Sequence, residues 1–312
     1  MNDRSTSAEA PLPPILPVGT QVVVLVDAMG TDGAVVHPHG AVGVVTQSPS
    51  DYWHSYRVRF PDGVEGSFAR RELSVLSHYQ RATGPLAEYD LFEHVIYRCV
   101  VGSRAFGLSS DASDTDRRGI YLPPAERHWS LFGVPEQLES PGTEEVYWEL
   151  GKFLTLALKA NPNVLECLYT PLVEHATELA RELLGMRDAF LSKLVYQTYN
   201  GYVLSQFKKL QSDLRNKGQV KWKHVMHLIR LLIGGVTVLR EGHVPVRVDD
   251  AHRQRLLAIK RGELSWEEVD VWRLDLHRQF DAAARETTLP DRPDYDRANA
   301  FLLKARRSSV SF

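Results

Sequence analysis

Apolar and polar positions follow four successive patterns along the chain. Up to Pro17 there is no period at all. Pro11, Pro13, Pro14 and Pro17 forbid a helix and predict an extended, mobile tail over residues 1–17. Residues 18–77 alternate with a period of two: Tyr56, Val58 and Phe60 lie against Arg57 and Arg59, as on a half-buried strand. Short strands are predicted at Gln21 to Val26, Gly40 to Thr46, Tyr56 to Phe60 and Gly66 to Ala69, punctuated by Gly30, Gly33 and the turn Pro61-Asp62-Gly63. Such dense short strands read as a small β-barrel.

Residues 84–172 mix both periods. A strand over His94 to Val101 runs into Gly102-Ser103, and a polar loop follows to Ser113. A second strand starts at Asp114 and stops at Pro123-Pro124; a third lies near Glu144 to Trp148. The helical period then takes over from Leu150 to Lys159, ending at Asn161-Pro162. From 173 to 312 nearly everything reads as helix: Thr177 to Leu191, Leu194 to Leu214, Lys221 to Glu241, Asp249 to Ile259 and Trp266 to Ala284. Gly242 is the expected stop of the third, and Ser265 with Glu268 forms a capping box for the last.

Composition narrows the class. With 312 residues, 43% hydrophobic and 24% charged, the chain is globular and large enough for more than one domain. A net charge of −2 rules out a general polycation, so any nucleic-acid contact must be local. Two cysteines, Cys99 and Cys167, are too few for a disulfide framework or a four-thiolate zinc site and read as buried thiols of a reducing compartment. No apolar stretch approaches a membrane span or an export signal, so a soluble cytoplasmic protein, with no membrane partner, is the expectation.

The candidate chemistry rests on Gly102-Ser103 and, after ten intervening residues, Asp114-Thr115-Asp116. On a strand, Asp114 and Asp116 point the same way. Two adjacent carboxylates repel unless a proton or cation lies between them, and hard oxygen ligands suit Mg²⁺ or Mn²⁺. Gly102 permits a close backbone approach and Ser103 supplies a hydroxyl. Together these outline a site for a nucleoside triphosphate.

The arrangement strand, Gly-Ser, loop, Asp-x-Asp, strand resembles the polymerase-β superfamily of nucleotidyltransferases. Val100-Val101-Gly102-Ser103 and Asp114-Thr115-Asp116-Arg117-Arg118-Gly119-Ile120 carry the resemblance. Tyr147 to Phe153 and Asn161 to Glu166 extend it toward the bacterial and phage RNA-ligase-associated, "predicted nucleotidyltransferase" branch. It implies an α+β fold: a catalytic lobe with a mixed sheet, a helical lobe behind it, and in front a barrel that itself resembles SH3-like barrels. It also implies a two-metal mechanism in which Asp114 and Asp116 hold the ions and Gly102 and Ser103 grip the triphosphate. A third carboxylate comes from the next strand, where Glu144 and Glu145 are neighbours; the spacing typical of the family points to Glu144. Arg104 follows Ser103 as a phosphate contact or a solvent-facing arginine. Asp111 reads as a turn former, and Arg117 and Arg118 as partners of the acidic cluster, of a substrate backbone or of the strand edge.

One charge run remains. Residues 208–230 carry a net +6 from Lys208, Lys209, Arg215, Lys217, Lys221, Lys223 and Arg230 against Asp213. Lys223, His227 and Arg230 share a helix face, suited to a triphosphate or an RNA backbone; the plainer reading is a solvated helix. His224 and His227 lack a third metal ligand. The resulting expectation is transfer of a nucleoside monophosphate to a hydroxyl of an RNA end, a protein or a small molecule. The alternative is a catalytically silent module that docks RNA or protein.

Overall fold

The computed structural model describes residues 15–30, 35–49, 54–76, 79, 90–110, 113–131, 133–140, 144–218 and 220–310. They divide into two compact units, Met1–Tyr89 and Asp90–Phe312.

In the first unit, β1 (Gln21–Val24), β4 (Val42–Gln47), β5 (Tyr56–Arg59), β6 (Glu65–Phe68) and β7 (Leu73–Val75) form an antiparallel sheet in the order β6-β5-β4-β1-β7. A separate two-stranded ribbon joins β2 (Ala28–Met29) to β3 (Val35–His37). The alternation along β5 is as expected, Tyr56 and Val58 buried and Arg57 and Arg59 exposed. Val22, Val24, Val45, Phe60, Phe68 and Leu73 complete the core. Leu16 departs from the mobile tail expected up to Pro17. It is buried, its N–H donates to the Tyr56 hydroxyl at 3.2 Å, and its carbonyl accepts from Ser48 Oγ at 2.6 Å.

The second unit is mixed α+β. β8 (Val95–Val100), β9 (Arg117–Tyr121), β10 (Gln137–Ser140), β11 (Glu145–Glu149) and β12 (Val173–Ala176) lie in the order β10-β11-β9-β8-β12. β9 and β11 run parallel, and the other pairs are antiparallel. The helices are α1 (Gly102–Phe106), α2 (Ala125–Trp129), α3 (Leu150–Leu158), α4 (Pro162–Tyr169), α5 (Glu178–Gly185), α6 (Leu194–Lys217), α7 (Trp222–Glu241), α8 (Asp250–Arg261), α9 (Trp266–Glu286) and α10 (Tyr295–Ser308). One apolar core runs from Tyr97 on the sheet to Ala305 on α10. Among the described residues no helix is long and apolar enough to cross a membrane.

Several boundaries differ from expectation for identifiable reasons. Asn161-Pro162 ends α3 but also starts α4. The Asn161 side chain accepts from the N–H groups of Asn163 and Val164, and Pro162 takes the first-turn position where no N–H is needed. Part of the polar loop after Gly102 is the short helix α1. The second strand opens at Arg117, not at Asp114. The helix expected over Thr177 to Leu191 breaks after Gly185 into a 3₁₀ turn, Arg187–Phe190. Gly242 ends α7 in the left-handed conformation, and the capping box of α9 is present.

One buried ion pair closes this unit. Glu149, at the end of β11, accepts from the N–H groups of Gly151 and Lys152 and so caps α3, while its other oxygen takes Arg306 Nη2 from α10. Both side chains are nearly sealed, at 8% and 11% exposure. Arg306→Ala strands that carboxylate, so the unfolding free energy in a urea titration is expected to fall by about 3–5 kcal/mol. A loss under 1 kcal/mol contradicts this account.

Candidate functional site

The expected phosphate loop and Asp116 meet where β8 ends and β9 begins. The N–H of Val101 donates to the carbonyl of Asp116 at 2.9 Å, which draws the two chain segments together before α1 begins. Gly102 follows with φ +69, and a Cβ there would lie 2.4 Å from Asp116 Oδ2. Only glycine accepts both the left-handed backbone and that approach. Arg118 steadies the carboxylate from the same strand face, its Nη2 3.6 Å from Asp116 Oδ1. Through Nη1 it also donates to the carbonyls of Arg117 and Glu144 at 2.8 and 2.7 Å, linking Asp116 to the start of β11.

The other acidic candidates are placed less closely. Asp114 is exposed and absent from the cleft wall that Asp116 forms. Glu144 is exposed just before β11, with φ +38. Glu145 turns to the opposite side of the sheet, where it accepts from the Tyr147 hydroxyl at 2.9 Å and lies 3.9 Å from Arg117. Arg117 shares that side with Glu174, at 2.9 Å. Among the described residues no three His, Cys, Asp or Glu side chains converge as a metal-binding group. Arg104 is bonded within its own loop, Nη2 to the Ser113 carbonyl at 2.7 Å and Nε to the Asp114 carbonyl at 3.3 Å. The half-buried Ser103 lies outside the cleft lining, and its carbonyl accepts from the Leu108 N–H. Asp111 lies outside the described residues.

Gly102, Asp116 and Arg118 form one end of a cleft of about 440 Å³ that continues between the sheet and the helices α4, α6 and α7. That volume suits a nucleotide-sized ligand. His227 and Arg230 of α7 line it; Lys223 is exposed and stands outside the lining. Arg230 lies over the Phe106 ring, 3.5 Å from its centroid, and Nη2 donates to Glu166 Oε1 at 2.7 Å. Its charge is therefore already partnered. His227 packs edge-on to Phe106, and burial, with Arg230 and Lys223 nearby, pushes its pKa down to about 4. His224 bonds Gln206 at 3.2 Å. Sequence reasoning missed Glu166, Trp148, Thr198 and Tyr202 as cleft residues. The available signal for Glu166 was a carboxylate inside the apolar run Val164-Leu165-Glu166-Cys167-Leu168, since buried carboxylates need partners.

His227 sets a pH dependence. Unfolded, it binds a proton below about 6.5; folded, it stays neutral to about 4. Its contribution to stability is fully present above 6.5 and is lost as pH falls through that window, by about 3 kcal/mol in total. Urea titrations between pH 7 and 4 are expected to show a smaller pH slope for His227→Asn than for the wild type; equal slopes contradict the assignment.

Comparison with known proteins places the chain in a family. A family model described as "RNA repair pathway DNA polymerase beta family" matches residues 74–304. An uncharacterized protein of Bacillus subtilis (strain 168), YcgL, is 29% identical over 156 residues, which cover 48% of this chain and 58% of that protein. The chain thus spans little more than half of this relative's length. No solved structure matches it. Since the matched region holds the loop, the carboxylates and every helix that walls the cleft, the chain belongs to the RNA repair pathway DNA polymerase beta family.

Proposed function

We propose that the protein is a nucleotidyltransferase that moves a nucleoside monophosphate from a nucleoside triphosphate to a hydroxyl acceptor, an RNA end foremost, and releases pyrophosphate. The observation that carries this reading is the approach of Gly102 to Asp116 at the cleft end, a cradle that any Cβ would fill. Family membership supports the nucleotidyl-transfer chemistry and an RNA repair setting. The carboxylate oxygens of Asp114, Asp116 and Glu144 are the hard donors that would hold Mg²⁺ or Mn²⁺. When bound, the metal supplies charge stabilisation at the transferring phosphate and acidifies the attacking hydroxyl.

The chain's own groups do the positioning. The backbone at Gly102 and the Ser103 hydroxyl hold the triphosphate tail. Arg118 keeps Asp116 turned into the cleft and screens its charge from the incoming phosphates. His227, neutral at physiological pH, offers a hydrogen bond without charge. The wall of Phe106, Trp148, Leu228 and Leu231 takes the apolar faces of the nucleoside. Outside, the exposed cations Lys221, Lys223, Lys208, Lys209 and Arg215 lie toward the α6–α7 turn, where they suit the phosphates of an acceptor strand. Lys221, just before α7, is nine residues from Arg230, roughly 13 Å at 1.5 Å per residue. The acceptor thus approaches from the α6–α7 turn with its end directed to Asp116. In the N-terminal unit, an order that sets the last strand beside the first supports the SH3-like reading.

The full chain, incubated with each α-labelled triphosphate, Mg²⁺ or Mn²⁺, and total cell RNA and protein, is expected to label RNA. Label on protein redirects the acceptor, and no label on anything overturns the reading. Asp116→Asn is expected to slow transfer roughly 100- to 1,000-fold while the chain stays folded.

Lys221→Gln with Lys223→Gln tests the acceptor path. Affinity for single-stranded RNA should drop, and the slope of log affinity against log salt should flatten by about 1.4, about 0.7 for each lost contact. An unchanged slope means that the two lysines are merely solvated.

A further inference from the structure

Glu166 is out of place on the floor of the cleft. Its side chain is only 7% exposed, and its neighbours in sequence, Val164, Leu165, Cys167 and Leu168, are all buried. An ion pair sealed to this degree adds little to stability, because stripping water from both charges costs about what their attraction returns. Arg230 engages only one carboxylate oxygen, Oε1. Among the described residues the second oxygen has no hydrogen-bond donor, and the residue lines the cleft, so its open acceptor sites face the ligand space. Nearby, Arg230 Nε is buried without an acceptor. The apolar part of the cleft lining includes Phe106, Pro162, Leu228 and Leu231.

An open carboxylate repels phosphates. The part of a nucleotide that meets Glu166 must be neutral, flat enough for the apolar walls and equipped with N–H donors. A ribose lacks the apolar faces; a nucleobase has them. The bases differ at the edge they offer. Adenine and cytosine set one amino donor beside a ring-nitrogen acceptor, which a carboxylate repels. Uracil flanks one donor with two carbonyls. Guanine alone presents two adjacent donors, N1–H and the N2 amino group, which a carboxylate accepts side by side. Its O6 acceptor then falls to a donor such as the neutral His227 ring or Arg230.

Resting on the reading of this cleft as a nucleoside triphosphate site, we propose that Glu166 is a specificity residue that selects guanine, with Arg230 as the residue that positions it. The donor substrate is then a guanosine triphosphate. Arg230 contributes by holding the carboxylate in place from its seat on Phe106, and the triphosphate is left to the Gly102–Ser103 end.

Equilibrium binding of GTP, ATP, CTP, UTP and inosine triphosphate to the full chain in Mg²⁺ tests this. Inosine triphosphate differs from GTP only by lacking the N2 amino group. GTP is expected to bind roughly tenfold or more tightly than ATP and than inosine triphosphate, the value of one hydrogen bond to a charged group. Glu166→Gln keeps an acceptor for Arg230 and should bring the three affinities within a few-fold of each other. Should that variant fail to fold, the ratio of GTP to inosine triphosphate on the wild-type chain decides alone. Equal binding of all triphosphates, or a GTP preference that survives Glu166→Gln, overturns the guanine assignment and leaves nucleotidyl transfer standing. If no triphosphate binds, the transfer reading falls and this inference with it.

Discussion

A guanidinium buried in a protein must find both a counter-charge and a surface on which to lie. Arg230 finds Glu166 on α4 and the ring of Phe106 on α1, while its own backbone belongs to α7. Three elements spread over more than 120 residues of sequence are thereby held around one side chain. The cleft is the space this arrangement leaves open. If α1 shifts, Arg230 loses its seat; if α4 shifts, it loses its counter-charge. The first movement also disturbs Gly102, four residues from Phe106 on the same helix, and with it the approach to Asp116. The site is stiff because an unsatisfied charge is the cost of deforming it.

Strand β9 sorts charge between the two faces of the sheet. Arg118 turns toward the cleft and Asp116, whereas Arg117 turns away to Glu174 and Glu145. Arg98 joins that rear group, with Nε 3.3 Å from Glu174. Adjacent arginines thus serve opposite sides, as the two-residue period of a strand requires. On the neighbouring strand Glu145 belongs to the rear group through Tyr147, while Arg118 bonds the carbonyl of Glu144 just before β11.

Local features of the sequence were legible. The alternation of Tyr56 to Phe60, the long apolar period of α7, the stop at Gly242 and the capping box at Ser265 are written in spacings of a few residues, and each took its expected form. The Gly-Ser and Asp-x-Asp signals also led to residues that meet in space, Gly102 and Asp116. What the sequence hid depends on distant partners. Nothing near Arg230 says that its charge is spent on Glu166, so its helix face reads as a phosphate site. Arg104 looks free until the loop carbonyls of Ser113 and Asp114 fold back onto it. Strand β12 is four mostly exposed residues whose pairing with β8 supplies the order that their own pattern lacks. The helix α10 went unread for a similar reason: few of its side chains are buried, and their partners lie far back in the chain.

The bond between Glu149 and Arg306 spans 157 residues. On a ribosome adding about 5–20 residues per second, the carboxylate waits roughly 8–30 s for its partner to be made. For that interval β11 and α3 can associate, but the end of the strand carries a charge that the finished fold buries. It must stay hydrated until α10 arrives, which holds that corner of the sheet open to water. The sheet that carries Asp116 is therefore sealed late, after the helices that will wall its cleft have left the ribosome. Synthesis order and charge burial together delay a closed site until the whole matched region, which ends at residue 304, has been made.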